Sequence, residues 1–484
     1  MSGENPRLRA SVLFGATAWI VPTILAVLVT PIVVRGLGTA GFGLYSFLTG
    51  FLAVTFTSGI GRFFIQRASG NANSHDAAAW FGTALRLSAR VGAAGGVLAA
   101  LLVAAAWSSV SAPGAASGGR VAAAAAVGIA FGAGALFQVV VALPLAALRF
   151  GDYTSALLLF AVLQLGGNAA LAMVGAGPVA LVLWSAAANV LAGGFVLLRA
   201  RRSLPVGATL LGAEVRPIAG FAVFGGAVFV YQLSGYVQLV FERWWLGRSL
   251  GLEAVAFYAV AMTLALQLHA GVTYMARGIL PAASAARNTG SVTDLARLYS
   301  RAVRTLVPPL AVAVATLVSL RVEVLSLWMG PVFAAAAGDA LGILAVSFGL
   351  LALLIVPWEF AEAAGFPERN AAFGVVWLVF GVAVGFVAIP RWGIAGAASG
   401  RLTLLLLVPI YVFLVERKLF GGVRTRLWFS VGALAAVFGT AAAGAARLIL
   451  PLFGGGVSGL AAGLAACGLL AAAAWRASAI LAPR

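Results

Sequence analysis

Along this chain, apolar runs of roughly 20 residues alternate with short polar breaks from one end to the other. Such a run is long enough to cross about 30 Å of hydrocarbon as a helix. Fourteen spans are predicted, at about 11–34, 43–65, 86–107, 121–148, 153–174, 178–198, 217–246, 254–280, 301–321, 338–360, 371–389, 393–415, 426–449 and 456–481, with twelve to fourteen the admissible range. The first run, from Ser11 to about Val34, follows Arg7 and Arg9 and has the look of a secretory signal. It is too long for one, carries Pro22 and Pro31, and runs almost directly into the next span, so it is expected to be a retained helix.

The fold class that follows is an all-α polytopic membrane protein. Composition supports it: of 484 residues, 62% are hydrophobic and 9% charged, against about 25% charged in a soluble domain. Mean hydropathy is +1.06. The net charge of +18 would suggest nucleic acid in a soluble protein, but here the cations sit at the ends of apolar runs, so no nucleic-acid partner is expected. With the N-terminus placed inside, the inner segments hold 23 of the 31 basic residues and the outer ones 7, with Arg401 left inside a span. Because cytoplasmic loops concentrate Lys and Arg, both termini are expected in the cytoplasm.

Two echoes suggest internal repetition. Arg35, Leu37, Gly38 and Tyr45 recur as Arg248, Leu250, Gly251 and Tyr258, a shift of 213 residues, and Gly177 and Ala180 recur as Gly393 and Gly396, a shift of 216. Transporters are commonly built from such halves. The expected division is a six-span bundle over 1–202, a second over 203–418 and two additional spans over 419–484.

The stretch Leu37-Gly38-Thr39-Ala40-Gly41-Phe42-Gly43-Leu44-Tyr45, after a proline-containing first span, resembles the start of the polysaccharide-exporting flippases. Ala363-Ala364-Gly365-Phe366-Pro367-Glu368-Arg369, followed one span later by Ile389-Pro390-Arg391-Trp392-Gly393-Ile394-Ala395-Gly396-Ala397-Ala398, is similar to the eleventh-helix region of that family. The family lies within the multidrug/oligosaccharidyl-lipid/polysaccharide flippase superfamily. Arg62 departs from its pattern, standing where a small or apolar residue is expected. The resemblance implies two six-helix bundles in a V around a central cavity that opens alternately to each side. It also implies a prokaryotic plasma-membrane location, a polyprenyl-diphosphate-linked oligosaccharide as cargo, surrounding membrane lipids, a coupling proton or sodium ion, and polysaccharide polymerase machinery as a partner.

An anionic diphosphate headgroup passing through hydrocarbon calls for cations in a wet cavity. Arg401, within the twelfth span, is the first candidate, with Arg62 late in the second span and Arg277 near the inner end of the eighth. Each has a plainer reading, as a structural pair or as a side chain snorkelling to the interface. Glu242 and Arg243, ahead of Trp244 and Trp245, are read as an outer gate or ion-coupling pair, or else as an interfacial anchor. Glu359 and Glu362, three apart after Pro357, share a helix face and suit proton coupling, or else belong to the inner loop. Asp152 is expected to cap a helix. Pro22, Pro31, Pro144, Pro357 and Pro409 interrupt spans, and those of the first and tenth are hinge candidates.

The lone Cys467 excludes an intrachain disulfide and is read as a small buried apolar residue. His75 and His269 lie far apart, so no metal and no cofactor are expected. An enzyme of the same setting would need a catalytic loop, and the longest breaks, 66–85 and 281–300, carry only Asp76 and Asp294 as acids. A multidrug cation antiporter would favour intramembrane carboxylates and aromatics over arginines. A lipid II flippase, whose cargo is also a diphosphate lipid, fits the same cations.

Overall fold

A computed structural model describes residues 6–53, 59–61, 64–65, 75–110, 117–147, 149–200, 221–276, 279, 283, 292–454 and 456–480. The described residues are helical, with no strand among them. They contain eleven helical stretches long and apolar enough to span a membrane. Two of these are longer than one crossing and are broken internally. Trp19–Ala53 is interrupted at Gly38 (φ 70°, ψ 165°) and Glu368–Phe420 at Gly393 (φ 57°, ψ −131°). The spans expected as one and two, and as eleven and twelve, thus each fall in one broken helical stretch. The chain is therefore an all-α, multi-pass membrane protein.

The helices are α1 Pro6–Ala53, α2 His75–Val110, α3 Ser117–Ala146, α4 Phe150–Met173, α5 Pro178–Ala200, α6 Phe221–Leu250 and α7 Leu252–Met275. They continue with α8 Val292–Ser319, α9 Arg321–Met329, α10 Pro331–Leu353, α11 Ile355–Ala363, α12 Glu368–Ser399, a 3-10 turn Gly400–Thr403, α13 Leu404–Phe420, α14 Thr425–Leu452 and α15 Gly456–Ile480. Contacts divide them into two units, Met1–Ala256 and Phe257–Arg484.

In the first unit α3 is central, packed by α2 and α5, while α1 lies against α4 and α6. Small residues make the α2–α3 contact possible. A Cβ on Gly96 would stand 2.7 Å from the carbonyl oxygen of Gly128, and one on Gly128 would stand 3.1 Å from that of Gly96. In lipid no hydrophobic effect draws helices together, so such backbone approach supplies the van der Waals contact that does. Phe64, Phe81, Phe137 and Val140 fill the interior between α2, α3 and α5.

In the second unit α8 takes the central place, touched by α10, α14 and α15. Helices α14 and α15 bury Ala442, Ala446, Cys467 and Ala474 against Val312 and Leu320. Cys467 is thus a buried small residue, as expected. Exposed apolar side chains on both units, such as Leu28, Leu101, Leu406 and Leu448, are those that hydrocarbon would cover.

Three local features differ from the sequence reading. Helix α8 begins at Val292 rather than near 301 and α2 at His75 rather than near 86. The extra turns of α8 are amphipathic: Leu295, Tyr299 and Val303 are buried at helical spacing, while Asp294 pairs with Arg297 at 2.9 Å. A hydropathy run misses such turns. The tenth span is two helices, α10 and α11, divided at Leu354. Pro357 has no N–H to give the Leu353 carbonyl, which removes one rung of the ladder there, while the N–H of Trp358 still donates to Leu354. Asp152 makes no capping bond; it sits in the first turn of α4 and bridges Arg149 (2.6 Å) and Arg199 (3.0 Å).

The first echo has a structural counterpart. Gly38 (φ 70°) and Gly251 (φ 85°), 213 residues apart, both break one helix from the next in a conformation that glycine adopts without strain.

Candidate functional site

Arg401 lies in the 3-10 turn between α12 and α13, a short tight segment of the kind that marks hinges. Its side chain is 4% exposed. The guanidinium centre stands 5.3 Å from the ring of Phe348 on α10 and 5.7 Å from that of Trp377 on α12. Cation–π attraction of this sort strengthens as water is removed. The indole N–H of Trp377 is buried and has no hydrogen-bond acceptor. A buried cation therefore packs on an indole whose N–H has no acceptor, in the interior of the second unit, and an anionic acceptor would satisfy that N–H. The sequence singled out the arginine but not its two aromatic neighbours, which lie 53 and 24 residues before it.

Arg62 and Arg277 lie outside the described residues. Glu242 and Arg243 are on α6. Glu242 is 2% exposed and accepts a 3.1 Å hydrogen bond from the Gln238 side chain one turn earlier. Arg243 donates through Nη1 to the carbonyl oxygen of Ser46, binding α6 to the part of α1 that follows the Gly38 break. The same part of α1 offers Tyr45, whose hydroxyl accepts a 2.8 Å bond from Asn168 of α4; Gln164, one turn earlier on α4, donates at 2.8 Å to Ser185 of α5. The side-chain oxygens of Gln164, Asn168 and Gln238 have no donor facing them. Four helices of the first unit thus meet in a buried polar network next to the helix break. Composition hid it, because Asn, Gln and Ser are scarce and widely spaced along these runs.

Glu362 is largely buried on α11, where it accepts from the indole of Trp358 (3.1 Å) and the amide of Asn370 on α12 (3.4 Å). Tyr411 of α13 donates to the other end of the Asn370 side chain. Glu359 is half-buried on the same short helix. A third carboxylate, Glu416, was not anticipated. It is fully buried at the end of α13 and accepts from the indole of Trp428 (2.6 Å) and the backbone N–H of Arg424 (2.8 Å), with the Tyr299 hydroxyl of α8 facing it. Beside Arg417 and Lys418, just past the end of an apolar run, it carries no distinguishing signal in the sequence. Among the described residues no group of three or more His, Cys, Asp or Glu side chains is placed to hold a metal ion.

A family model described as "Polysaccharide biosynthesis protein" matches residues 32–328. No curated protein matches the sequence. Among solved structures, the chain is similar to the inward-facing conformation of a multidrug resistance MATE family transporter of the MOP superfamily. That likeness has a TM-score of 0.62 at 15% identity and covers 87% of this chain and 96% of the other. It is also similar to a MATE transporter in its straight conformation, with a TM-score of 0.59, 16% identity, and 85% and 95% of the two chains covered. A third is a MOP superfamily transporter from Pyrococcus furiosus whose binding pocket is described as having reverse polarity. Its TM-score is 0.58 at 16% identity, with 88% and 95% covered. At these identities the likenesses establish the fold.

Proposed function

The chain belongs to the polysaccharide biosynthesis protein family and has the fold of the MOP superfamily transporters, and from that premise we propose that it translocates a polyprenyl-diphosphate-linked oligosaccharide. The cargo moves from the cytoplasmic to the outer leaflet of a prokaryotic plasma membrane, by alternating access, to supply cell-surface polysaccharide synthesis. The observation that carries this reading is the family match over residues 32–328 in a chain with a transporter fold.

Arg401 is proposed as the contact for the diphosphate. What supports it is the burial of this cation against Phe348 and Trp377, whose indole N–H has no acceptor. Charge-assisted hydrogen bonds from such donors would offset part of the hydration that the diphosphate loses. Arg62 and Arg277 are proposed as headgroup contacts nearer the cytoplasm, on their sequence positions alone.

Glu242 and Arg243 are proposed to act at the outer gate. Arg243 ties α6 to α1 directly after the Gly38 break, so opening there would exchange its bond to Ser46 for others. Glu359 and Glu362 are proposed to take part in coupling to a proton or sodium ion. Transport of cationic drugs is less well supported, because Glu362 and Glu416 are already engaged by local indole and amide donors. Purified protein in liposomes that carry a fluorescent polyprenyl-diphosphate oligosaccharide in one leaflet tests the reading. Protein-dependent loss of the label to a membrane-impermeant glycosidase supports it, and a rate equal to that of empty liposomes removes it.

A further inference from the structure

Glu416 has no part in the transport proposal, yet it is completely buried and forms no ion pair among the described residues. Its two oxygens accept from the indole of Trp428 (2.6 Å) and the backbone N–H of Arg424 (2.8 Å), both on the α14 side of the turn that follows α13. A third group faces it from α8. This is the Tyr299 hydroxyl, which is buried and has no hydrogen-bond partner. Phe360 and Phe420 hold the Tyr299 ring edge-on, at 5.1 and 5.3 Å, so its oxygen is fixed where it stands.

The charges nearby are engaged elsewhere or face outward. The guanidinium of Arg424 stacks over Phe420 at 5.3 Å. From α12, Arg369 donates to the Leu414 carbonyl at 2.9 Å. On α11 the acids are Glu359 and Glu362, the latter held by Trp358 and Asn370. Asp339, the one charged residue of α10, pairs with Arg321. On α13 itself Tyr411 donates to Asn370, and Arg417 and Lys418 are exposed, as is Arg426 on α14.

An ionised carboxylate buried without a cation depends on its hydrogen bonds, and its charge in turn strengthens them. Protonation removes that charge and adds an O–H that needs an acceptor. The indole and the backbone N–H can only donate, whereas a tyrosine hydroxyl also has lone pairs to accept with. Each protonation state of Glu416 therefore has its own partners: Trp428 and Arg424 when ionised, Tyr299 when protonated. The turn has room to follow such a change. Gly421 holds a φ of 74°, and a side chain at Gly422 would meet nothing within 4 Å.

We propose that Glu416 is a proton-operated latch. Ionised, it fastens the start of α14 to α13; protonated, it turns to Tyr299 of α8 and releases the turn. The turn lies on the side that the arginine bias assigns to the cytoplasm, so acidification of that side is the signal. The latch does not depend on which cargo the protein carries.

A nitroxide on Gly422→Cys, in the full chain with Cys467→Ala, reports the mobility of the turn in nanodiscs through its electron spin resonance line shape. Mobility is expected to rise as the pH falls from about 8 to about 5, with the steepness of a single proton. Glu416→Gln cannot ionise and should hold the mobility at one level throughout. Tyr299→Phe keeps the ring but removes the acceptor of the protonated state. It should move the midpoint to lower pH by about one unit, a tenfold loss of proton affinity, and it keeps the test open if Glu416→Gln folds poorly. Mobility independent of pH in the wild type, a transition that survives in Glu416→Gln, or an unmoved midpoint in Tyr299→Phe overturns the proposal.

Discussion

Glu416 accepts a 2.6 Å hydrogen bond from the indole of Trp428 across the turn that joins α13 to α14. With its second oxygen on the backbone N–H of Arg424, this one carboxylate satisfies a free donor at the start of α14 and ties α13 to α14 across the turn. A carboxylate is well placed there, since helix N-termini carry partial positive charge. Glu416→Ala leaves two partly buried donors without their acceptor, at about 1–3 kcal/mol or less. Thermal unfolding in detergent should show a lowered midpoint and faster proteolysis at Gly421 and Gly422. Glu416→Gln, which keeps an acceptor, should lose less.

Arg401→Ala is expected to abolish export while the protein stays in the membrane. The aromatic clamp makes the volume of the side chain a separate matter, because truncation leaves a cavity beside Phe348 and Trp377. Arg401→Met fills that space without the charge. It should recover the stability lost to the cavity but no export; export at the wild-type rate from Arg401→Met would assign the arginine to packing alone.

Neutralising Glu359 and Glu362 together should flatten the pH dependence of transport. The single variant Glu362→Gln is expected to keep its contact with Trp358 and so to change stability by less than about 1 kcal/mol. Transport rates across a pH series in liposomes decide the matter. A profile identical to the wild type would leave Glu362 as the local partner of Trp358 and Asn370 only.

Gly43→Ala would drive its Cβ into the carbonyl of Leu252, at backbone that cannot easily give way. Gly38→Ala meets open space but must hold a positive φ of 70°, at about 1–3 kcal/mol. Both variants should lower the unfolding midpoint, Gly43→Ala more. Equal stability of Gly43→Ala and the wild type would contradict the close packing of α1 on the start of α7.

The spans were legible because lipid imposes a length and a polarity on every crossing helix, and the break at Gly38 was marked by a motif. The division of the tenth span was less plain, although Pro357 stands there, since hydropathy runs across it unbroken. Early turns of α8 escaped notice because they lie beyond the apolar run and are amphipathic. Arg401 stood out as a charge inside a span. Trp377 and Phe348, which clamp it, did not, because aromatic residues in apolar runs carry no signal until the helices that hold them meet. Glu416 was hidden in a basic segment for the same reason: its partners Trp428 and Tyr299 come from two other helices.

The most direct test of the proposed function is to delete the gene and assay polyprenyl-diphosphate-linked oligosaccharides in membranes with a leaflet-specific sugar label. Transport of this cargo predicts that complete oligosaccharide accumulates on the cytoplasmic leaflet and that the wild-type gene disperses it, while the Arg401→Met gene does not. A lipid-linked pool of normal size and leaflet distribution in the deletion strain would contradict the account.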